Sequence, residues 1–427
     1  MRPFSDFSRL AVSCAGAAML AGCAGLPTTL RPPFDGGYPE RFDYAQHRLH
    51  RGAQGDKVGG DKPYQIIYNF EGSPDGASPY ATLLPVRGML YGTTSGGGKN
   101  NKGAVFVISA PGKERVLYSF RRKPDGAVPQ AGLVYAGGKL YGTTALGGTN
   151  GDGTIFEVTL SGKERVLHSF TDVPDGNIPD APLIVVNGVL YGTTLWGGSS
   201  SCSASSSYGC GTVFAVTLSG KERVLHAFEG GRDGTLPQAP LLAIGDTLYG
   251  TASGGGKSDS GVVYEISKSG AERVLYSFKG SPDGQFPLAG LIIVDGMLYG
   301  TTTGGGAHHA GSGGDGTVFR LSTTGNDERV LHTFRGGDAD LPFASVVAVK
   351  GKLYGTTGFG ATKGMVYEMN LDGKHPRVLH PFTGAPDGSG PNGLTFLDGA
   401  LYGTTTDGGS GFQSSGTVFK ITLPANP

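Results

Sequence analysis

Short apolar runs recur along this chain at a nearly fixed interval, and no segment carries a helical period. The stretch 133–170 shows the unit: runs at 133–136, 139–144 (KLYGTT), 154–160 (TIFEVTL) and 165–170 (RVLHSF). β-branched and aromatic residues fill the runs, and Gly, Asn, Asp and Pro stand between them, which predicts four short strands. The first two are joined by dipeptides such as Asn187-Gly188, Asp295-Gly296 and Asp398-Gly399, which accept the positive φ of a two-residue hairpin. Runs such as RVLYSF are apolar at successive positions instead of alternating. The strands are therefore expected to be covered on both faces, as in stacked blades.

The word YGTT, or YGTA in the fourth copy, begins at Tyr91, Tyr141, Tyr191, Tyr249, Tyr299, Tyr354 and Tyr402. The spacings are 50, 50, 58, 50, 55 and 48 residues, the length of a four-stranded propeller blade. The fourth-strand word ends at Phe70, Phe120, Phe170, Phe228, Phe278, Phe334 and Phe382. The third-strand word carries Phe106, Phe156, Phe214, Tyr264, Phe319, Tyr367 and Phe419. The repeats thus open with an orphan fourth strand and stop after a third. We expect an all-β fold, a seven-bladed β-propeller of four-stranded antiparallel blades. The N-terminal strand completes the last blade, and closure removes the exposed sheet edges.

The words LYGTT-x-x-GG, GTVF, ERVLYSF and PDG-x-x-P resemble those of the GloVer tandem-repeat family, the choice-of-anchor proteins of bacteria, over roughly residues 64–423. The resemblance implies display outside the cytoplasm on interchangeable anchors and implies no particular activity. A looser likeness to kelch propellers lies in the Gly pairs after the second strand, without the later Trp of that family.

Ahead of the repeats, residues 1–22 read as an export signal, with Arg2 and Arg9 before a short Ala-rich apolar run. Leu20-Ala21-Gly22-Cys23 resembles a lipobox, so cleavage is expected before Cys23 and a lipid on its thiol. Ala24, not Asp, follows, which by resemblance favours the bacterial outer membrane, on its periplasmic side or at the cell surface. A lipid anchor holds a protein to a membrane without spanning it. Residues 23–63, rich in Pro, Gly and charge, read as a tether, leaving 64–427 for the propeller. Cys14 leaves with the signal, so Cys202 and Cys210 are expected to form a disulfide in an oxidising compartment. Gly, at 77 of 427 residues, is more than twice its usual ~7% share, but it is periodic and so marks turns. With 35 basic and 35 acidic residues the chain offers no long-range field for nucleic acid or an anionic membrane.

Candidate chemistry divides into features that recur and features that break the repeat. Asp75, Asp125, Asp175, Asp233, Asp283 and Asp387 recur in the PDG-x-x-P loop; the odd copy reads GGDADLP at 336–342. They could form a ring of carboxylates for cations or sugars, or simply cap turns. Recurrence favours turn capping; Asp125, Asp175 and Asp233 stay as ligand-binding candidates. Tyr68, Tyr118, His168, His226, Tyr276, His332 and His380 share one fourth-strand position, read as a packing slot with a polar tip. The Gly pairs after YGTT lack the phosphate-loop word and are expected to form tight loops near the centre of the ring.

Leu146, Trp196 and Phe359 break the repeat in the loop after the second strand, on the face that also carries the PDG loops. A lone exposed Trp suits contact with a sugar or a protein. No metal site and no cofactor are expected: no D-x-D-x-D-G loop occurs, and His308 and His309 sit in a Gly-rich insertion without fixed geometry. Neither G-x-S-x-G nor H-E-x-x-H occurs, so no catalytic residue is assigned. The sequence points to a monomeric, lipid-anchored, non-catalytic binding or scaffold module for a glycan or an envelope protein. The alternative is a carbohydrate-active hydrolase or lyase with a loop-built site on the propeller face.

Overall fold

The computed structural model describes residues 63–424 apart from 110–111, 203–207, 308–314, 336–340, 359–362 and 411–413. Cys23, Phe359, His308 and His309 therefore lie outside the described residues. From Tyr64 onward the chain forms seven antiparallel sheets, each built of four blade strands. Blade 2 is representative, with strands Val134–Ala136, Lys139–Thr144, Thr154–Thr159 and Glu164–Ser169 paired in that order. The short first strands are innermost: Leu84–Val86 of blade 1 touches its counterparts Val134–Ala136 of blade 2 and Thr395–Leu397 of blade 7. The fourth strands form the outer rim. Blade 7 takes its fourth strand from the other end of the propeller, with Tyr64 opposite Ile421, Gln65 opposite Lys420 and Asn69 opposite Thr417. The ring is closed as the strand count requires.

The repeated words explain one another once the register is known. Gly142 of YGTT lies directly opposite Phe156 of the third strand. A Cβ at Gly142 would stand 2.7 Å from Phe156 Cζ and 2.9 Å from Leu133 Cδ2, so the ring needs a bare backbone beneath it. That ring in turn meets Phe120 from the fourth strand of blade 1, edge to face, with centroids 5.0 Å apart. Equivalent pairs such as Phe70–Phe106, Phe170–Phe214 and Phe382–Phe419 occupy the other junctions. Each contributes about 0.5–1.5 kcal/mol beyond the area it buries. The first Thr of YGTT reaches the following blade as well: Thr93 Oγ1 donates to Ala131 O at 2.8 Å.

The pairing of the third and fourth strands carries a bulge in every blade. In blade 2, Ile155 faces His168 and Phe156 faces Val166, so Leu167 is the extra residue. Its carbonyl supports the next blade: a Cβ on Gly220, in the turn of blade 3, would run into Leu167 O. One expectation needs correction. The Gly pairs after YGTT do not gather at the centre; Gly148 lies against Thr154 and Ser169, over the ends of the outer strands. The loop folds outward because its Gly-rich backbone pairs with the PDG segment, Gly147 opposite Gly126.

Candidate functional site

The PDG aspartates sit where the chain leaves a fourth strand. Asp125 Oδ2 accepts the amide of Arg121 at 2.9 Å and Oδ1 accepts the amide of Gly126 at 2.6 Å. Asp175 and Asp233 repeat the first bond with Thr171 and Glu229, at 3.1 and 2.8 Å. This is turn capping, as the recurrence suggested. Each Asp also meets the Tyr or His seven residues earlier: Tyr118 donates to Asp125 at 2.8 Å, and His168 Nε2 lies 3.0 Å from Asp175 Oδ2. The polar tip of the fourth-strand slot thus has a named partner.

A third group, supplied by the next blade, was not recognised from the sequence. The Glu of ERVL approaches the Asp of the preceding blade; at one junction Tyr276 lies 2.9 Å from Asp283 and 3.1 Å from Glu328. Burial, and then the neighbouring Asp, push Glu114, Glu164, Glu222 and Glu272 up to about 7. Nothing in the one-dimensional pattern singles these residues out, because a charge at the start of an outer strand looks like a solvated one.

Leu146 and Trp196 do fall on one face with the PDG loops. Leu146 is paired with Ala127, and Trp196 exchanges backbone hydrogen bonds with Asn177 at 2.9 and 3.0 Å. They occupy equivalent places in blades 2 and 3, and both are half-buried. The indole meets the Tyr208 ring at a 6.4 Å centroid distance. Tyr208 belongs to the Ser-rich insertion, which the Cys202–Cys210 disulfide ties to the wall of the blade, where Cys210 is fully buried.

A second variable set lies at the loop-face end of the innermost strands. Between a recurring Pro and a recurring Ala or Gly stand Tyr80, Gln130, Asp180, Gln238, Leu288, Phe343 and Asn392. Three of these side chains meet the residue after YGTT in the same blade: Gln238 Nε2 reaches Ser253 Oγ at 3.3 Å, Asn392 Nδ2 reaches Thr406 Oγ1 at 3.4 Å, and Phe343 covers Gly358. Asp180 is the carboxylic acid of the set. Burial raises its carboxyl to about 7, and Oδ1 has no hydrogen-bond partner among the described residues. The signal in the sequence was a variable residue between fixed ones, easily taken for filler.

Comparison with known proteins agrees with this architecture. A family model described as the Gloeobacter/Verrucomicrobia repeat matches residues 57–204, 199–313 and 307–426. No curated protein matches the chain. Among solved structures, an oligogalacturonate lyase in complex with manganese is similar in fold, with a TM-score of 0.54 and 11% identity. That likeness covers 85% of this chain and 97% of the lyase.

Proposed function

The chain belongs to the Gloeobacter/Verrucomicrobia repeat family, and from that premise we propose that it is a non-catalytic binding or scaffold module that takes a glycan or a protein on its loop face. One observation carries the reading. Residues that recur are consumed by architecture: Gly142 lies under Phe156, Thr93 reaches the next blade, and Asp125 caps its turn. Residues that vary, Trp196 and Leu146 with the Pro-x-Ala set, gather at one end of the blades. Variable side chains presented on a rigid scaffold are the usual make-up of a recognition surface. A glycan array probed with wild type and Trp196→Ala tests it. The reading expects a signal that weakens severalfold in the variant, and equal signals for the two proteins remove Trp196 from the surface.

The same reading places the protein outside the cytoplasm, held by a lipid on Cys23. Metabolic labelling with a fatty acid should mark wild type and spare Cys23→Ser, and membrane fractionation should release the variant. A second reading rests on Asp180. A carboxyl that burial raises to about 7 can take or give a proton at neutral pH, as a carbohydrate-active hydrolase or lyase needs. Loss of polysaccharide degradation in Asp180→Asn would support the enzyme, and absence of any turnover by wild type would remove it.

A further inference from the structure

We propose that His168–Asp175–Glu222 and His226–Asp233–Glu272 are sites for a divalent transition-metal ion of the zinc class, each tying one blade to the next. The inference is independent of what the loop face binds. In both clusters one ligand atom from each residue lies within 4.8 Å of the other two. The His and Asp come from one blade, seven residues apart around the PDG turn, and the Glu begins the fourth strand of the following blade. The side chains are largely enclosed: His168 is 20% exposed and Asp175 13%.

The seven junctions supply their own comparison. Where the slot holds Tyr, a phenol brings its hydroxyl to both carboxylates, as Tyr276 does for Asp283 and Glu328. Where it holds His with Glu present, a ring nitrogen replaces that hydroxyl. His168 Nε2 is spent on Asp175, and Glu222 gains no hydrogen bond from it. Glu222 Oε1, Asp175 Oδ1 and Glu272 Oε1 are buried without a partner, as Glu114 Oε1, Glu164 Oε1 and Glu328 Oε1 are at the Tyr junctions, so what sets the His junctions apart is the ring nitrogen, a metal ligand where the others have a phenol. Imidazole plus two carboxylates supplies three ligands and two negative charges, the donor set and charge that a Zn²⁺ ion with one open position takes. The other two His junctions lack the Glu, having Pro376 or Tyr64 at that position, so the three-donor set arises at two places among the described residues. Ions can reach the second cluster through an open cleft lined by Arg232, Asp233, Lys257, Glu272, Tyr276 and Lys279. Its three cations oppose an entering metal, so the His226 site should be the weaker.

The test is zinc stoichiometry by elemental mass spectrometry, on full-length protein stripped with EDTA, loaded with Zn²⁺ alone and dialysed. Wild type should retain two ions, His168→Tyr or His226→Tyr one, and the double variant none. Tyr fills the same slot in three other blades, so these variants should keep the wild-type far-ultraviolet circular dichroism and unfolding midpoint in EDTA. Glu222→Gln, which leaves the His–Asp pair intact, should lose the ion from its site alone. Wild type without zinc, or a double variant that still holds two ions, overturns the proposal. Loss of both ions on His308→Ala/His309→Ala with the junctions intact does the same.

Discussion

Tyr64 stacks on His380, with ring centroids 3.5 Å apart and planes 6° from parallel. Tyr64 opens the closing strand and occupies the position that five other blades give to Glu. Its ring also packs near Phe382 and Phe419, so the joint between blades 6 and 7 is aromatic where most others are acidic. Tyr64→Ala should cost about 2 kcal/mol in urea unfolding, less than a fully buried aromatic because this residue is half-buried. Removing residues 1–70 should do more. It strips the partner from Thr417–Thr422 and exposes an unpaired strand, which should appear as self-association in size-exclusion chromatography.

Gly142→Ala tests why the word YGTT contains Gly. The added methyl meets Phe156 Cζ and Leu133 Cδ2 closer than van der Waals contact allows. Overpacking of this kind costs about 1–3 kcal/mol. Phe156→Leu alone should also destabilise, since it opens a cavity and removes the contact with Phe120. Together the two should cost less than their sum, because the smaller side chain makes room for the methyl. A double-mutant cycle in urea reads that coupling, and simple additivity would refute the account.

The ring and its closure were legible in the sequence because both follow from counting: seven third-strand words, seven fourth-strand words and one orphan at each end. The turn role of Asp125 was legible too, because Pro-Asp-Gly chemistry is local. The dependence of Gly142 on Phe156 was not, since it requires the register between two strands. The junction acids were hidden for a related reason. Glu164 acts on Asp125 and Tyr118 of the preceding blade, and its own neighbours in sequence look solvent-facing. Trp196 and Leu146 could be assigned to a face, but the hydrogen bonds that hold Trp196 beside Asn177 belong to backbone geometry. Asp180 was passed over because one residue in each repeat varies at its position.

Tyr264 and Tyr367 replace the third-strand Phe in blades 4 and 6. Both rings are buried, and neither hydroxyl finds a hydrogen-bond partner among the described residues. An unpaired buried hydroxyl carries a desolvation cost of about 1–3 kcal/mol. Tyr264→Phe and Tyr367→Phe should therefore leave the fold intact and be neutral or stabilising, by up to about 1 kcal/mol. Thermal unfolding checks this; a fall in Tm for either variant would show that the hydroxyl is satisfied.

The junction acids give stability a defined dependence on pH. Glu114, Glu164, Glu222 and Glu272 sit near 7 when folded, against about 4.5 in an unfolded chain, and Asp180 is raised likewise. A raised carboxyl binds its proton more tightly in the folded state. Its contribution is therefore fully present below about pH 4.5, lost as pH rises through 7, and constant above. Glu157 and Glu368, depressed by Lys and Arg partners, work the other way: their contribution is present above about pH 4.5 and lost as pH falls through their folded values. Above pH 5 Glu157 and Glu368 are already ionised in both states, so only His380, whose pKa burial lowers, opposes the trend there, against the five carboxyls raised to about 7 and the further raised Asp75, Glu328 and Asp407. In EDTA, so that no metal occupies the junctions, Tm should fall between pH 5 and pH 8. Glu164→Gln, which cannot ionise, should reduce that fall while keeping the hydrogen-bonding shape of the side chain. A Tm that rises across the same interval would mean that the junction carboxylates are not protonated in the folded protein.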